Sequence, residues 1–402
     1  MRVRLLNILG TVLLALSQWG QVILLTRLLG VYEVGLFSYF LALTGPLVLF
    51  SRFMLSVLVP TQKKLSYDYQ VFHQFRMLTN VSFLLFSSVL MLSSKLSFYE
   101  SACLGIFVLF KFFENKEEFI YTENIAESNI AFLAYSKIYK SILTLALFTV
   151  ITVTFNSLLF SISSLLVAQW IIYYFYDRRY SYVLKQQKVK LEWLQFKNIV
   201  GLGIGLTAVE VLNSFVTNIP RYMIEHFHGI ETLGIFATIM YFSTITNNVV
   251  VAINETFVAS LAKTSHSNIA LFYRSFLRLC MMFLILVGIG EIILLLFGNR
   301  ILVFVYGEQF EGFQQEMMLL GILLFLVVYI KLFEMALSIL NIYRLQVILQ
   351  SSTFVLTLVL SIAVIIPFGL KGAFIVAIIT HSMLATGQLA VLVHHWRTKD
   401  LV

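Results

Sequence analysis

Twelve apolar runs follow one another along this chain, each about long enough to cross a bilayer, and they limit its possible folds more than any other feature. A helix rises about 1.5 Å per residue, so roughly 20 apolar residues span the hydrocarbon layer. The runs cover 7–27, 35–58, 77–94, 98–120, 131–154, 157–177, 199–222, 233–261, 274–297, 314–340, 346–366 and 371–394. In hydrocarbon a backbone amide finds no water to bond, so such runs must be helical or form a closed barrel, and runs of this length are helices. The chain is 59% hydrophobic and only 12% charged, spread over all 402 residues, which leaves neither a soluble core nor a disordered chain as an alternative. The expected fold class is all-α, a polytopic membrane protein of about 12 transmembrane helices.

Placing the N-terminus in the cytoplasm puts 20 Lys and Arg residues on the cytoplasmic side and 5 on the outer side, with Arg52, Lys111 and Lys331 inside spans. That asymmetry predicts both termini inside and an even number of spans. It also accounts for most of the net charge of +8, so no nucleic-acid partner is implied. Asn7 interrupts the first apolar run, which is therefore read as a retained span and not a cleaved signal. The longest loop, 178–198, is basic: it contains Arg178, Arg179, Lys185, Lys188 and Lys190. It reads as a cytoplasmic linker between an N-terminal six-helix bundle (1–177) and a C-terminal one (199–402). It serves either as a topology determinant or as a contact for anionic headgroups.

The two halves echo each other. Asn7-Ile8-Leu9-Gly10 opens the first span and Asn198-Ile199-Val200-Gly201 the seventh. Gly30-x-x-x-x-Gly35-x-Phe37 follows the first span, and Gly229-x-x-x-x-Gly234-x-Phe236 follows the seventh. Lys111-Phe112-Phe113-Glu114 lies in the fourth span and Lys331-Leu332-Phe333-Glu334 in the tenth. Each echo joins span n to span n+6, which predicts a parallel six-plus-six repeat, an arrangement found in transporters. The glycine pair permits a tight turn and then close helix packing.

Catalytic signatures are missing. There is no Gly-x-Ser-x-Gly, no His-Glu-x-x-His and no phosphate-binding loop, and Asp68, Asp177 and Asp400 are isolated. Cys103 and Cys280 lie in apolar runs, so neither a disulfide framework nor a metal site is expected. The outer loops are too short to carry a polymerase or glycosyltransferase centre. The chain is expected not to be an enzyme and to need no cofactor.

Ionisable groups inside spans cost about 2.5 kcal/mol or more on insertion scales, so they face a cavity or a partner. Arg52, Lys111, Glu114, Glu210, Arg221, Glu255, Glu291, Lys331 and Glu334 form that set, a load that suits a transporter better than an assembly subunit that only anchors. Lys111/Glu114 and Lys331/Glu334 are spaced i, i+3 on one helix face. Each pair either neutralises itself or offers a cation that exchanges its carboxylate for substrate. Arg52 and Arg221 follow Pro46 and Pro220; proline can break a helix, which fits a cavity wall or a gating bend, and the alternative for Arg221 is snorkelling to the surface. Glu210, Glu255 and Glu291 have no cation three or four residues away, which makes them candidates for coupling to a proton or sodium gradient. His381 could titrate or be a hydrogen-bonded structural residue.

Leu28-Leu29-Gly30-Val31-Tyr32-Glu33-Val34-Gly35-Leu36-Phe37, Asn218-Ile219-Pro220-Arg221-Tyr222, Gly298-x-x-Ile301-Leu302-x-x-Val305-Tyr306-Gly307 and Gly369-Leu370-Lys371-Gly372-Ala373 together resemble the bacterial polysaccharide flippases of the O-antigen (Wzx) type. These flippases belong to the multidrug/oligosaccharidyl-lipid/polysaccharide exporter superfamily. The likeness runs almost full length, with departures at Thr122-Glu123-Asn124 and at Ser51-Arg52-Phe53. It implies a V-shaped, alternating-access transporter of undecaprenyl-diphosphate-linked oligosaccharide, used in lipopolysaccharide or related surface-polysaccharide synthesis. Arg52, Lys111, Arg221 and Lys331 would meet the diphosphate, with Glu114 and Glu334 holding the lysines when substrate is absent. A polysaccharide polymerase or chain-length regulator is the protein partner implied. The competing reading is a cation-coupled multidrug exporter of the same superfamily, whose cargo would call for an acidic cavity.

Overall fold

The computed structural model describes residues 2–61, 67–94, 96–186 and 189–399, without the side chains of 2–4, 61, 255, 259, 266, 267 and 399. The sequence readings at Lys63, Lys64, Lys95 and Lys188, and at the Glu255 carboxylate, lie outside what is described. All regular structure among the described residues is helical. The helices are α1 (Arg2–Leu24), α2 (Val31–Arg52), α3 (Leu55–Thr61), α4 (Tyr69–Ser93), α5 (Phe98–Ala126), α6 (Ile130–Phe155), α7 (Leu158–Phe175), α8 (Trp193–Ser267), α9 (Ile269–Tyr306), α10 (Gln314–Ile339), α11 (Tyr343–Leu360) and α12 (Ile366–Lys399).

Nine helical stretches among the described residues are long and apolar enough to cross a membrane. Two of these, Trp193–Val258 and Tyr343–Thr398, are too long for one crossing. Each is interrupted by a glycine with non-helical backbone, Gly229 (φ 84°) and Gly369 (φ 53°). Counting each as two spans, and adding the charged α5, gives the twelve expected from the apolar runs. Gly229 and Gly30 have nearly the same backbone, with φ, ψ of 84°, 169° and 98°, 177°. The sequence echo between these two turns is therefore also an echo of shape, in a region that L side chains rarely enter.

Proline does not break the helices where the sequence suggested. α8 continues through Pro220 and turns only at Gly229. α2 contains Pro46 and ends later, at Arg52, where Phe53 (φ 51°) and Met54 (φ 48°) take left-handed backbone. A proline inside a helix removes one hydrogen bond, which a packed helix can lose without ending.

The chain forms two compact units, Met1–Phe215 and Val216–Val402. The division falls inside α8, whereas the sequence boundary was drawn near that helix's start, at 199. The first turns of α8 pack on the first unit: Ile199 is buried with Phe53, Leu55, Phe75 and Phe119, and Gly203 lies against Phe53 and Leu58. In the first unit α1 lies against α6. A Cβ at Gly10 would sit 2.9 Å from the Ala134 carbonyl oxygen, Ser17 donates to Ser141 O at 2.9 Å, and Lys137 donates to Asn7 Oδ1 at 3.1 Å. The Asn7-x-x-Gly10 pattern is thus a helix-packing signature.

The basic segment after α7 is strapped to the same unit by side chains that bond its backbone. Gln70 donates to Val183 O at 2.7 Å, Asn124 donates to Tyr180 O at 3.1 Å, Glu123 accepts from Tyr182 N at 2.8 Å, and Gln74 accepts from Leu191 N at 2.6 Å. In the second unit α9, α10, the second half of α8 and the end of α12 share one core, with Phe272, Phe276, Phe283, Leu332, Ala336 and Leu392 buried together.

Candidate functional site

The break after Arg52 leaves the Ser51 carbonyl without a helical partner. Arg76 Nη1 and Thr79 Oγ1, both on α4, donate to it at 2.9 and 2.7 Å. Asn115 on α5 then bonds Ser51 Oγ at 2.9 Å, Asn80 at 3.2 Å and, through its Oδ1, the Arg52 Nε at 3.0 Å. A polar patch on three helices thereby fixes the direction of the Arg52 guanidinium.

That guanidinium points at a carboxylate shared by three cations. Glu114 Oε2 lies 2.8 Å from Lys111 Nζ and 3.6 Å from Arg52 Nη2, and its Oε1 lies 3.8 Å from Lys140 Nζ. Lys140 is 7% exposed, and Glu117 Oε2 sits 2.5 Å from its ammonium. Tyr121 donates to Glu117 Oε1 at 2.9 Å and lies 2.7 Å from Ser136 Oγ, which donates to Asp177 Oδ1 at 2.6 Å. Arg76, fully buried, pairs with Glu118. One connected set of charged and hydroxyl groups therefore runs from Arg52 and Lys111 to Asp177 after α7.

Exposure divides its members. Lys140 and Glu117 are sealed in the bundle and compensate each other, as buried charges must. Arg52 keeps 28% and Lys111 17% of its side-chain surface open. Lys111 also lies over the Phe107 and Phe110 rings at 5.5 and 5.0 Å, which holds an ammonium without using up its donors.

The second unit carries a simpler version. Lys331 Nζ bonds Glu334 Oε2 at 2.8 Å, and both are about one-third exposed. Among the described residues this is the only ion pair Glu334 makes, against three for Glu114. Arg221 Nη1 donates to Asn218 Oδ1 at 3.3 Å, and its buried Nε has no hydrogen-bond partner among the described residues. Glu291 extends from α9 over Gly321 of α10, so close that a Cβ there would lie 2.2 Å from Oε2, while its buried Oε1 has no hydrogen-bond partner among the described residues. Glu210 is half-buried on α8 and has a partner within the protein. His381 donates from Nδ1 to Ala377 O of its own helix at 2.8 Å.

Within the first unit the structure thus joins Arg52, Lys111 and Glu114, and in the second it pairs Lys331 with Glu334. Charge counting along the chain missed Lys140, Arg76, Glu117, Glu118 and Asp177. Lys140 and Arg76 were counted among the 20 cations of the cytoplasmic side and left out of the intramembrane set, and both are buried inside α6 and α4. The signal was present for Lys140, since the apolar run 131–154 already enclosed it.

The sequence pattern of a family described as polysaccharide biosynthesis protein matches residues 24–315. The capsular polysaccharide biosynthesis protein CapF of Staphylococcus aureus is 26% identical over 306 residues, covering 75% of this chain and 76% of CapF. Among solved structures, the lipid II flippase MurJ in an inward closed conformation superimposes with a TM-score of 0.77 at 13% identity, over 96% of this chain and 87% of that one. An outward-facing multidrug resistance MATE family transporter of the MOP superfamily gives 0.68 at 12% identity, over 100% and 96%. At these identities the two structures share the fold, while the sequence match covers most of the chain. The protein is a multi-pass membrane protein, and it belongs to the polysaccharide biosynthesis protein family.

Proposed function

We propose that the protein is a flippase that moves undecaprenyl-diphosphate-linked oligosaccharide repeat units from the cytoplasmic to the outer leaflet of the inner membrane, with both termini cytoplasmic. The observation that carries this reading is the three-cation cluster on Glu114, from which Arg52 and Lys111 remain partly exposed. A diphosphate brings more charge and more acceptor oxygens than one carboxylate, so it can displace Glu114 from both. Arg52 suits bidentate contact and Lys111 acts as a point charge. Glu114 re-pairs with them on release, so the cations are never left bare in a low-dielectric site. Lys331 and Glu334 repeat the device in the second unit, and Arg221 adds a guanidinium. Membership in a polysaccharide biosynthesis family, the CapF relative and the fold shared with a lipid II flippase all support a lipid-linked glycan as cargo. The cycle draws on a proton or sodium gradient, with Glu210, Glu255 and Glu291 as the candidate carriers. No covalent chemistry is required, and a polymerase or chain-length regulator would take the product.

The fold shared with a MATE transporter keeps a cation-coupled multidrug exporter as the second reading. A cationic drug calls for an acidic lining, and the most open charged group of the first unit's cluster is the Arg52 guanidinium, at 28% against 17–18% for Glu114 and Glu118. The test is to delete the gene, label lipid-linked repeat units on each leaflet, and complement. Wild type should restore outer-leaflet units. A Lys111→Ala, Glu114→Ala double variant, which removes both charges together, should be present at normal level and leave the units on the inner leaflet. Equal labelling of the outer leaflet with and without the gene would refute the reading.

A further inference from the structure

In the second unit a groove of about 740 Å³ lies between α9 and the end of α12, lined by Arg274, Leu277, Arg278, Met281, Ile285 and Trp396 among others. The α9 residues recur at three- and four-residue spacing and so form one stripe. The opposite face of α9, with Phe272, Phe276 and Phe283, is buried in the core. The groove therefore lies on the surface of the unit, away from its core. Its wall is fixed: Trp396 stacks on Tyr273 at 5.2 Å, and the Tyr273 hydroxyl lies 2.8 Å from His395 Nδ1. At one end are two exposed guanidinium groups a single helical turn apart. Among the described residues neither has a carboxylate partner. From Arg278 to Ile285 the stripe runs apolar for about 10 Å at 1.5 Å per residue.

We infer that this groove binds an anionic glycerophospholipid of the leaflet on the C-terminal side, with its phosphate on Arg274 and Arg278 and an acyl chain along Leu277, Met281 and Ile285. Charge complementarity selects the headgroup, because two uncompensated guanidinium groups next to hydrocarbon need an anion and the adjacent apolar trough needs a chain. Among the described residues the lining holds no side-chain hydroxyl, amide or carboxylate, so its polar contacts are confined to the two guanidinium groups and the Trp396 indole. A plain phospholipid therefore fits it better than a glycan-bearing lipid. An indole at the polar end suits the interface between headgroup and chain. The site is separate from the Glu114 cluster and does not depend on what the protein transports.

The test uses the full chain purified in detergent and exposed to equal amounts of phosphatidylglycerol and phosphatidylcholine, with retained lipid read by native mass spectrometry. A basic residue near an anionic lipid contributes roughly fivefold in affinity. The wild type should thus retain one phosphatidylglycerol preferentially, and Arg274→Gln with Arg278→Gln should cut that preference by about 30-fold if the two add. An unchanged ratio in the double variant overturns the proposal. A second measurement leaves both arginines in place. With Trp19, Trp170 and Trp193 replaced by Phe, brominated phosphatidylglycerol should quench Trp396 at a lower mole fraction than brominated phosphatidylcholine. Equal quenching by the two lipids overturns the site. Displacement of the brominated phosphatidylglycerol by polyprenyl diphosphate at lower concentration than by unlabelled phosphatidylglycerol overturns the choice of occupant.

Discussion

Replacing Lys140 by Met removes one charge from the middle of the first unit and keeps most of the side chain's volume. Its ammonium is 2.5 Å from Glu117, which is 2% exposed, and 3.8 Å from Glu114. Without it, Glu117 keeps the Tyr121 hydroxyl as a donor, at 2.9 Å, and no cation among the described residues, while Glu114 keeps Lys111 and Arg52. Most of the loss therefore falls on Glu117. Breaking a buried pair by removing one partner costs about 3–5 kcal/mol, because the remaining charge is stranded. Adding Glu117→Gln removes that stranded charge while retaining an acceptor for Tyr121. The double variant should recover to within about 1–2 kcal/mol of wild type, since a neutral replacement of a buried pair is often nearly neutral. The assay is reversible unfolding of the purified protein by SDS titration in mixed micelles, followed by circular dichroism, in a double-mutant cycle. A drop of 3–5 kcal/mol is about two to four decades in the unfolding equilibrium. If Lys140→Met unfolds at the wild-type SDS fraction, or if the double variant is no more stable than the single, the Lys140–Glu117 pair does not carry the buried charge as argued.

Four further outcomes are expected. Gly10→Val forces a side chain against the Ala134 carbonyl, 2.9 Å from where a Cβ would sit, and should cost about 1–3 kcal/mol, seen as less monodisperse protein after heating. Gly229→Ala meets open space but must hold φ at 84°. Strain alone should destabilise it by about 1–3 kcal/mol, and an equal loss in Gly30→Ala would show the same turn working in both halves. Glu291→Gln keeps size and removes the intramembrane charge; if Glu291 carries the coupled ion, glycan flipping in vesicles becomes independent of an imposed proton or sodium gradient at unchanged protein level, and retained gradient dependence excludes it. Reporter tags after Leu401 and at Lys188 should both read cytoplasmic and one near Gly307 outside, and exposure of position 188 on the outer side would overturn the span order.

The sequence by itself determined the membrane setting, the all-helical class and the paired glycine turns, because these depend on runs and spacings. About twenty apolar residues can only span as a helix, and an i, i+3 Lys/Glu pair must share a face in any helical fold. Lys111 with Glu114 and Lys331 with Glu334 were legible for that reason. So was the need for glycine at Gly30 and Gly229, where the chain turns between spans. Tertiary structure alone decided which charges meet. Arg52, Lys140 and Glu114 come from α2, α6 and α5, and they meet where left-handed Phe53 ends α2 at Arg52 and Asn115 on α5 bonds the Arg52 Nε. Lys140 and Arg76 entered the sequence reading only as cations of the cytoplasmic side, since a count along the chain does not see what a residue packs against. In the fold their cost is set by the carboxylate each can reach: Glu117 and Glu114 for Lys140, Glu118 for Arg76. A charge inside a membrane protein is governed by its partners across helices, and those partners lie tens of residues away in sequence.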